Sequence, residues 1–279
     1  MSSKCDGCAS QSSCASKGIE ICPPAKKPQY GNIKNVIGVI SGKGGVGKST
    51  VTGIMASMLR KRGYKVGVLD ADITGPSMPR FFGINKERAQ IKAIDDNTIK
   101  FIPAETKSGI KVISMNLLTD VEEDPVIWRG PVINGVLNQM YFDTVWGELD
   151  YLLIDMPPGT GDIALTVMQE FNVKELVIVS TPQDMVSMIV KKVVIMAQKV
   201  GVDIRGVVEN MAYIMCDNCQ TKLRVFSKKS AEEHAEYLGI PLLGELPINL
   251  ELTEALEEGR AEEFVINDPL YSLVFEGLY

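Results

Sequence analysis

From about residue 35 onward, short apolar runs alternate with helix-length stretches that are apolar on one face. The runs at 36–40, 65–70, 112–115, 151–154, 175–180, 204–208 and 242–246 predict strands. They are rich in Val, Ile and Leu with little polar alternation, the pattern of strands covered on both faces. Between them, 48–62 predicts a helix that stops at Gly63, and 132–146, 185–200, 229–238 and 249–258 predict four more. Strands alternating with helices imply an α/β fold, a mostly parallel sheet with helices on both faces. Residues 1–32 lack this periodicity and end in a proline-rich stretch (Pro23, Pro24, Pro28), so they read as an arm and linker ahead of one domain at 33–279.

Composition narrows the class. Hydrophobic residues are 45% of the 279 and charged residues 23%, the balance of a globular domain able to bury a core without disulfides. A net charge of −6 opposes nucleic-acid binding, which favours a basic face. There is no apolar run of membrane-spanning length and no apolar signal core at the start, so the expectation is a cytoplasmic protein without membrane or nucleic-acid partners.

The first chemistry lies just after the 36–40 strand, in Gly42-Lys43-Gly44-Gly45-Val46-Gly47-Lys48-Ser49-Thr50. This is the Walker A pattern in the strand-to-helix context it requires. Glycines let backbone N–H groups converge on phosphate oxygens, and the helix start adds its positive dipole end. The spacing assigns Lys48 to the β- and γ-phosphates of ATP, Ser49 to Mg²⁺ and Thr50 to the α-phosphate.

Two acidic motifs follow at strand ends. In Asp70-Ala71-Asp72-Ile73-Thr74-Gly75-Pro76-Ser77, Asp72 falls at the carboxyl edge of the sheet, where it can position an attacking water. In Leu152-Leu153-Ile154-Asp155, the apolar strand ending in Asp is the Walker B pattern; Asp155 would hold Mg²⁺ through water, and Gly159 would sense the γ-phosphate. Asn210, placed at the end of the 204–208 strand, can bond adenine through its amide, although Asn is also a common turn residue there.

Six cysteines remain: Cys5, Cys8, Cys14 and Cys22 in the arm, and Cys216 and Cys219 in a loop expected to interrupt the strand-to-helix step after Asn210. In a reducing compartment such clusters read as ligands rather than disulfides. One Cys-x-x-Cys supplies two thiolates, whereas zinc and [4Fe–4S] sites want four. A cluster shared across a two-fold axis, a redox pair and half a zinc ribbon all remain open.

Lys43 gives the loop a second lysine, the deviant Walker A signature, and in this the chain resembles the group containing MinD, ParA, the nitrogenase iron protein and arsenite-pump ATPases. That resemblance implies a homodimer in which Lys43 reaches the partner's nucleotide. Trp128-Arg129-Gly130-Pro131, Trp146-Gly147-Glu148-Leu149-Asp150-Tyr151, Asp155-Met156-Pro157-Pro158-Gly159-Thr160-Gly161-Asp162, and Asn210-Met211 with its following Cys-x-x-Cys narrow the likeness. They resemble the Mrp/ApbC family of iron–sulfur cluster carrier ATPases over about 33–260. The resemblance implies a Mg²⁺-dependent, slow ATPase whose paired Cys216 and Cys219 hold a [4Fe–4S] cluster across a homodimer for delivery to apo iron–sulfur proteins. It also implies a P-loop NTPase fold with a short cysteine-bearing arm. The arm is similar to that of the cytosolic scaffold branch: Cys5, Cys8 and Cys14 match three of its four cysteines, the upstream one is missing, and Cys22 is the candidate fourth ligand. A tail with incidental thiols is the alternative.

Competing functions fit less well. A MinD- or ParA-like positioning ATPase with a structural zinc pair needs a basic membrane helix or a basic DNA face, and the last twelve residues contain no Lys or Arg. A nitrogenase-type reductase would place single cysteines in two separate loops. His234, the only histidine, reads as a surface residue on its helix, Met185, Met188 and Met196 as core packing, and 251–263 as a solvated acidic face.

Overall fold

The apolar run at 36–40 lies within a longer strand, β1 (Gly31–Ser41), whose character changes half-way along. Its first residues alternate between half-buried and exposed, while Val36 to Ser41 are all buried. The change marks where β1 enters the middle of the sheet, between β7 (Gly147–Asp155) and β8 (Glu175–Ser180), with parallel pairing on both sides. A computed structural model describes residues 27–275 apart from 74, 76, 96–97, 119–129 and 217, so the arm cysteines Cys5, Cys8, Cys14 and Cys22 lie outside the described residues.

After β1 come α1 (Lys48–Lys61), β2 (Val66–Asp70), α2 (Met78–Phe81) and an antiparallel ribbon of β3 (Gln90–Asp95) and β4 (Thr98–Ile102). Next are β5 (Ala104–Glu105), β6 (Lys111–Ile113) and α3 (Gly130–Phe142), then β7, α4 (Asp162–Glu170), β8 and α5 (Asp184–Val200). The chain continues through β9 (Asp203–Met215), β10 (Lys222–Leu223), α6 (Ala231–Leu238) and β11 (Leu242–Pro247). Three short helices close it: α7 (Leu250–Glu257), α8 (Ala261–Asn267) and α9 (Pro269–Val274).

The strand order is β10-β9-β8-β1-β7-β2-β6-β5, with β11 also on β9; every pairing in this sheet is parallel except β10 on β9 and β5 on β6. The connection from β1 to β2 runs to one side of β1, and that from β7 to β8 crosses to the other. A crevice therefore opens at the carboxyl ends of β1 and β7, the place where open α/β sheets bind ligands. The α/β class and the mostly parallel sheet agree with the sequence.

Several local expectations need correction. The 204–208 strand does not stop before Asn210: β9 continues to Met215 because β8, β11 and β10 keep its backbone paired in turn. Asn210 is thus inside a strand, and Cys216 and Cys219 cap a hairpin between β9 and β10 rather than interrupting a step to a helix. Helix α3 ends at Phe142, and Trp146 beyond it is fully buried with its indole N–H donated to Tyr141 O at 2.9 Å. Met188 is 59% exposed and not in the core; Met196 packs against the core.

His234 is not a surface residue. With Ala231, Ala235 and Leu238 it forms the buried face of α6, and its Nδ1 lies 2.7 Å from Oε1 of the buried Glu209 on β9. Nor is 251–263 wholly solvated: Glu262 is buried and accepts from Thr106 Oγ1 (2.9 Å) and Ser108 Oγ (2.5 Å). Burial of a charged group is tolerated only when it is partnered: Glu262 has two hydroxyls, while Glu209 is held through Oε1 alone and its buried Oε2 has no hydrogen-bond partner among the described residues. Replacing His234 with Ala leaves Glu209 buried without its ring partner and should destabilise the protein by about 3 kcal/mol. The urea midpoint reads this, and an unchanged midpoint would contradict the pairing.

Candidate nucleotide site and cysteine hairpin

The loop at 42–47 joins the buried end of β1 to α1, so its position is fixed by the centre of the sheet. Gly47 caps α1 with φ +79°, a conformation that L side chains resist, and a Cβ there would fall 2.2 Å from Asn210 Nδ2. Asn210 donates that same Nδ2 to Val46 O at 2.9 Å. Strand β9 therefore braces the P-loop, and Asn210 is buried against it.

Lys48 is buried under this loop with its ammonium 2.8 Å from Asp155 Oδ2 and 3.5 Å from Asp72 Oδ2. Asp155, fully buried at the end of β7, also accepts from Ser49 Oγ at 2.5 Å and from Thr52 Oγ1 at 2.8 Å. The three motifs read from the sequence thus converge on one cluster. Burial works against the charge on Lys48, but Asp155, then Asp72 and Asp70, more than offset it and raise its pKa. Thr52, one turn along α1, is a partner that the motif reading missed; its spacing of four from Lys48 was the available signal.

Asp70 is the second addition. It is buried at the end of β2, opposite Asp155 in register, and accepts from Ser114 Oγ at 3.0 Å and from the Met78 and Asp72 N–H groups at 3.3 Å. Burial, then the neighbouring Asp155 carboxylate, pushes its pKa up to about 7, against the opposing pull of Lys48. Three carboxylates around one ammonium leave the cluster short of positive charge. A hydroxyl and carboxylates are the hard oxygen donors that Mg²⁺ takes beside phosphate, so the residues present fit that ion.

The remaining P-loop positions are placed but less engaged. Gly44 and Gly45 are exposed, and Ser49 and Thr50 half-buried, at the open side of the crevice. The N–H of Gly159 is donated to Ser41 O at 2.7 Å, which ties the loop after β7 to the end of β1. Lys43 donates to Gln183 Oε1 at 3.0 Å.

The hairpin carrying Cys216 and Cys219 has two unlike faces. Toward the body, Lys222 Nζ and Arg224 Nη1 each lie 2.6 Å from Glu245, and Lys222 sits over the buried Tyr213 ring at 4.2 Å. On the other side Ile214 and its cross-strand partner Leu223 are exposed. Cys216 is half-buried and donates its N–H to Thr221 O, while Cys219 is exposed with Sγ 3.2 Å from Thr221 Oγ1. Hydrogen bonding at Thr221, then at Cys216, lowers the Cys219 pKa, favouring the thiolate that binds metal. Among the described residues of one copy, no group of three or more His, Cys, Asp or Glu forms a metal site.

Comparison with known proteins decides the lineage. A family model described as the NUBPL iron-transfer P-loop NTPase, of the ParA type, matches residues 32–273. The chain belongs to this family. It is 71% identical over 282 residues to the iron-sulfur cluster carrier protein of Clostridium perfringens, covering 99% of each chain. To the protein of the same name from Methanocaldococcus jannaschii it is 42% identical over 259 residues, 92% of this chain and 88% of that one. Among solved structures, a nucleotide-binding protein from Archaeoglobus fulgidus in complex with ADP superposes with a TM-score of 0.73 at 41% identity, covering 87% and 92%. The septum site-determining protein MinD from Pyrococcus horikoshii, complexed with Mg-ADP, has a TM-score of 0.57 at 21% identity, covering 88% and 96%, and shares the fold.

In this P-loop NTPase the raised pKa of Asp70 has a measurable consequence. A carboxyl whose folded pKa exceeds its unfolded value adds stability at low pH and loses it as pH rises to the folded value. The nucleotide-free protein should therefore lose stability between about pH 4 and about pH 7 through Asp70. Asp70→Asn should lose less over that interval, so its urea midpoint gains on that of the parent as pH rises. Parallel curves would remove Asp70 as the source.

Proposed function

We propose that this chain is an ATP-dependent iron–sulfur cluster carrier, in which two copies hold a [4Fe–4S] cluster between their Cys216 and Cys219 pairs and pass it to apo iron–sulfur proteins in the cytoplasm. The observation that carries the reading is the course of β9. One strand braces the P-loop through Asn210 and ends at the cysteine hairpin. Family membership and the names of the Clostridium and Methanocaldococcus relatives support the same reading. So does the thiolate arithmetic: each copy offers two exposed or half-exposed thiols beside an apolar face, and a [4Fe–4S] cargo asks for four.

At the nucleotide, Gly42, Gly44, Gly45, Val46 and Gly47 cradle the phosphates, Lys48 reaches the β- and γ-phosphates, and Thr50 bonds the α-phosphate. Ser49 and Asp155 would hold Mg²⁺, which when bound neutralises charge on the transferring phosphoryl group. Lys48 now pairs with Asp155, so an entering phosphate must draw its ammonium away. Asp72 orients the attacking water, Lys43 crosses to the second copy's nucleotide, and Gly159 answers to the γ-phosphate after its N–H leaves Ser41 O. Asn210 serves the base from the strand that braces the loop. The arm, 1–32, would bind a second, separate cluster through Cys5, Cys8, Cys14 and Cys22, ahead of the ATPase domain at 33–279.

Two measurements test this. Anaerobic reconstitution followed by iron and sulfide counting should give about four irons fewer per pair of copies when Cys216 and Cys219 are both Ser, with delivery to an apoprotein lost. Retention of all iron with normal delivery would defeat the carrier reading. Lys48→Ala should lower ATP turnover by at least about a hundredfold and also lower the urea midpoint, since it leaves Asp155 buried beside Asp70 without its ammonium. Normal turnover by a folded Lys48→Ala protein would defeat the ATPase assignment.

A further inference from the structure

Lys43 is held by its own chain. Its ammonium bonds Gln183 Oε1 across 140 positions of sequence, and Ser41 Oγ donates to its carbonyl at 2.9 Å. This contact exists because the first turns of α5 lie directly on the entry to the P-loop. A Cβ on Gly42 would fall 3.0 Å from Val190 N and 3.2 Å from Ile189 Cγ2, so glycine permits the approach. Gln183 precedes α5 in an extended conformation, with its N–H donated to Thr181 O at 2.7 Å, which fixes where its side chain starts. Among the described residues Lys43 has no carboxylate partner; a neutral amide is what holds it.

We propose that Gln183 is a positioning residue that parks the Lys43 ammonium on its own chain and yields it to the phosphates of a second copy's nucleotide. The inference rests on the two-copy reading above. A neutral acceptor suits this role. An ammonium–amide bond carries charge on one partner, whereas a phosphate brings charge on both and attracts the ammonium more strongly. A carboxylate at the same place would compete with the phosphate instead of giving way. With the Lys43 backbone tied to Ser41, the exchange asks only for rotation of a flexible side chain. Parking also keeps a half-buried lysine from wandering over its own P-loop, so the lysine commits to phosphate only when a second copy presents one.

The test is ATP turnover per copy of the full chain at saturating ATP, measured against protein concentration, with sedimentation reporting association. Gln183→Glu, which exchanges the amide for a carboxylate of the same shape, should raise the concentration for half-maximal turnover by about tenfold. Gln183→Ala should lower it several-fold, because Lys43 is no longer held back. Adding Lys43→Ala to either variant should erase the difference between them in the association that sedimentation reads. If both Gln183 variants raise the concentration, Gln183 touches the second copy itself and the parking role is wrong. If neither moves it while Lys43→Ala alone abolishes turnover, only the parking role falls. If Lys43→Ala turns over normally, the two-copy role of Lys43 falls, and the parking role with it.

Discussion

The pairing of Lys48 with Asp155 is the contact on which the site depends. It sits beneath the P-loop, where β1 and β7 end side by side, and both groups are almost wholly removed from water. A buried ion pair is costly unless its remaining hydrogen-bonding capacity is met. Here Ser49 and Thr52 complete the Asp155 carboxylate from the first turns of α1, so the helix, the loop and β7 are locked together. Asp70 and Asp72 add negative charge on the β2 side, and a single ammonium does not balance three carboxylates. That deficit suits the site to a divalent cation, while burial, then the Asp155 carboxylate, pushes the Asp70 carboxyl toward neutrality.

Strand β9 gives the other half of the design. Asn210 supports the backbone of Val46, and the left-handed Met211 next to it marks a bulge where the register with β11 shifts. From Asn210 six residues lead to Cys216, about 20 Å of extended chain. The hairpin at the end is fixed on its inner side by Lys222, Arg224 and Glu245 and left apolar on its outer side. Glu209, just before Asn210, is anchored to His234 of α6. The P-loop is therefore braced from the middle of the strand whose end carries the cysteines, with polar anchors along its length.

Most of the architecture was legible in the sequence because it rests on local chemistry. Buried parallel strands must be apolar on both faces, a phosphate loop must be rich in glycine, and a Walker B carboxylate must follow an apolar strand. Lys48, Ser49 and Asp155 were singled out from these requirements alone, and the fold brings the three side chains together. The helices α2, α8 and α9 were not, since segments of at most seven residues carry too few turns for a period to show, and α4 and the β3–β4 ribbon were missed as well.

What the sequence left undecided concerns polar groups whose partners are distant. Glu262 and His234 looked like solvent-facing residues because charge alone suggests exposure. Thr106, Ser108 and Glu209 lie 156, 154 and 25 positions away, and only folding brings them to hydrogen-bonding distance. The extent of β9 was likewise set by neighbours: its amides stay paired beyond Asn210 because β10 and β11 arrive beside it. By itself the sequence determined the phosphate loop, its acidic partners and the class of fold, all of which follow from spacing along one chain. Tertiary structure decided the bracing of the P-loop by Asn210, the burial of Asp70 and the hold of Gln183 on Lys43, because each of these depends on a partner that no local pattern encodes.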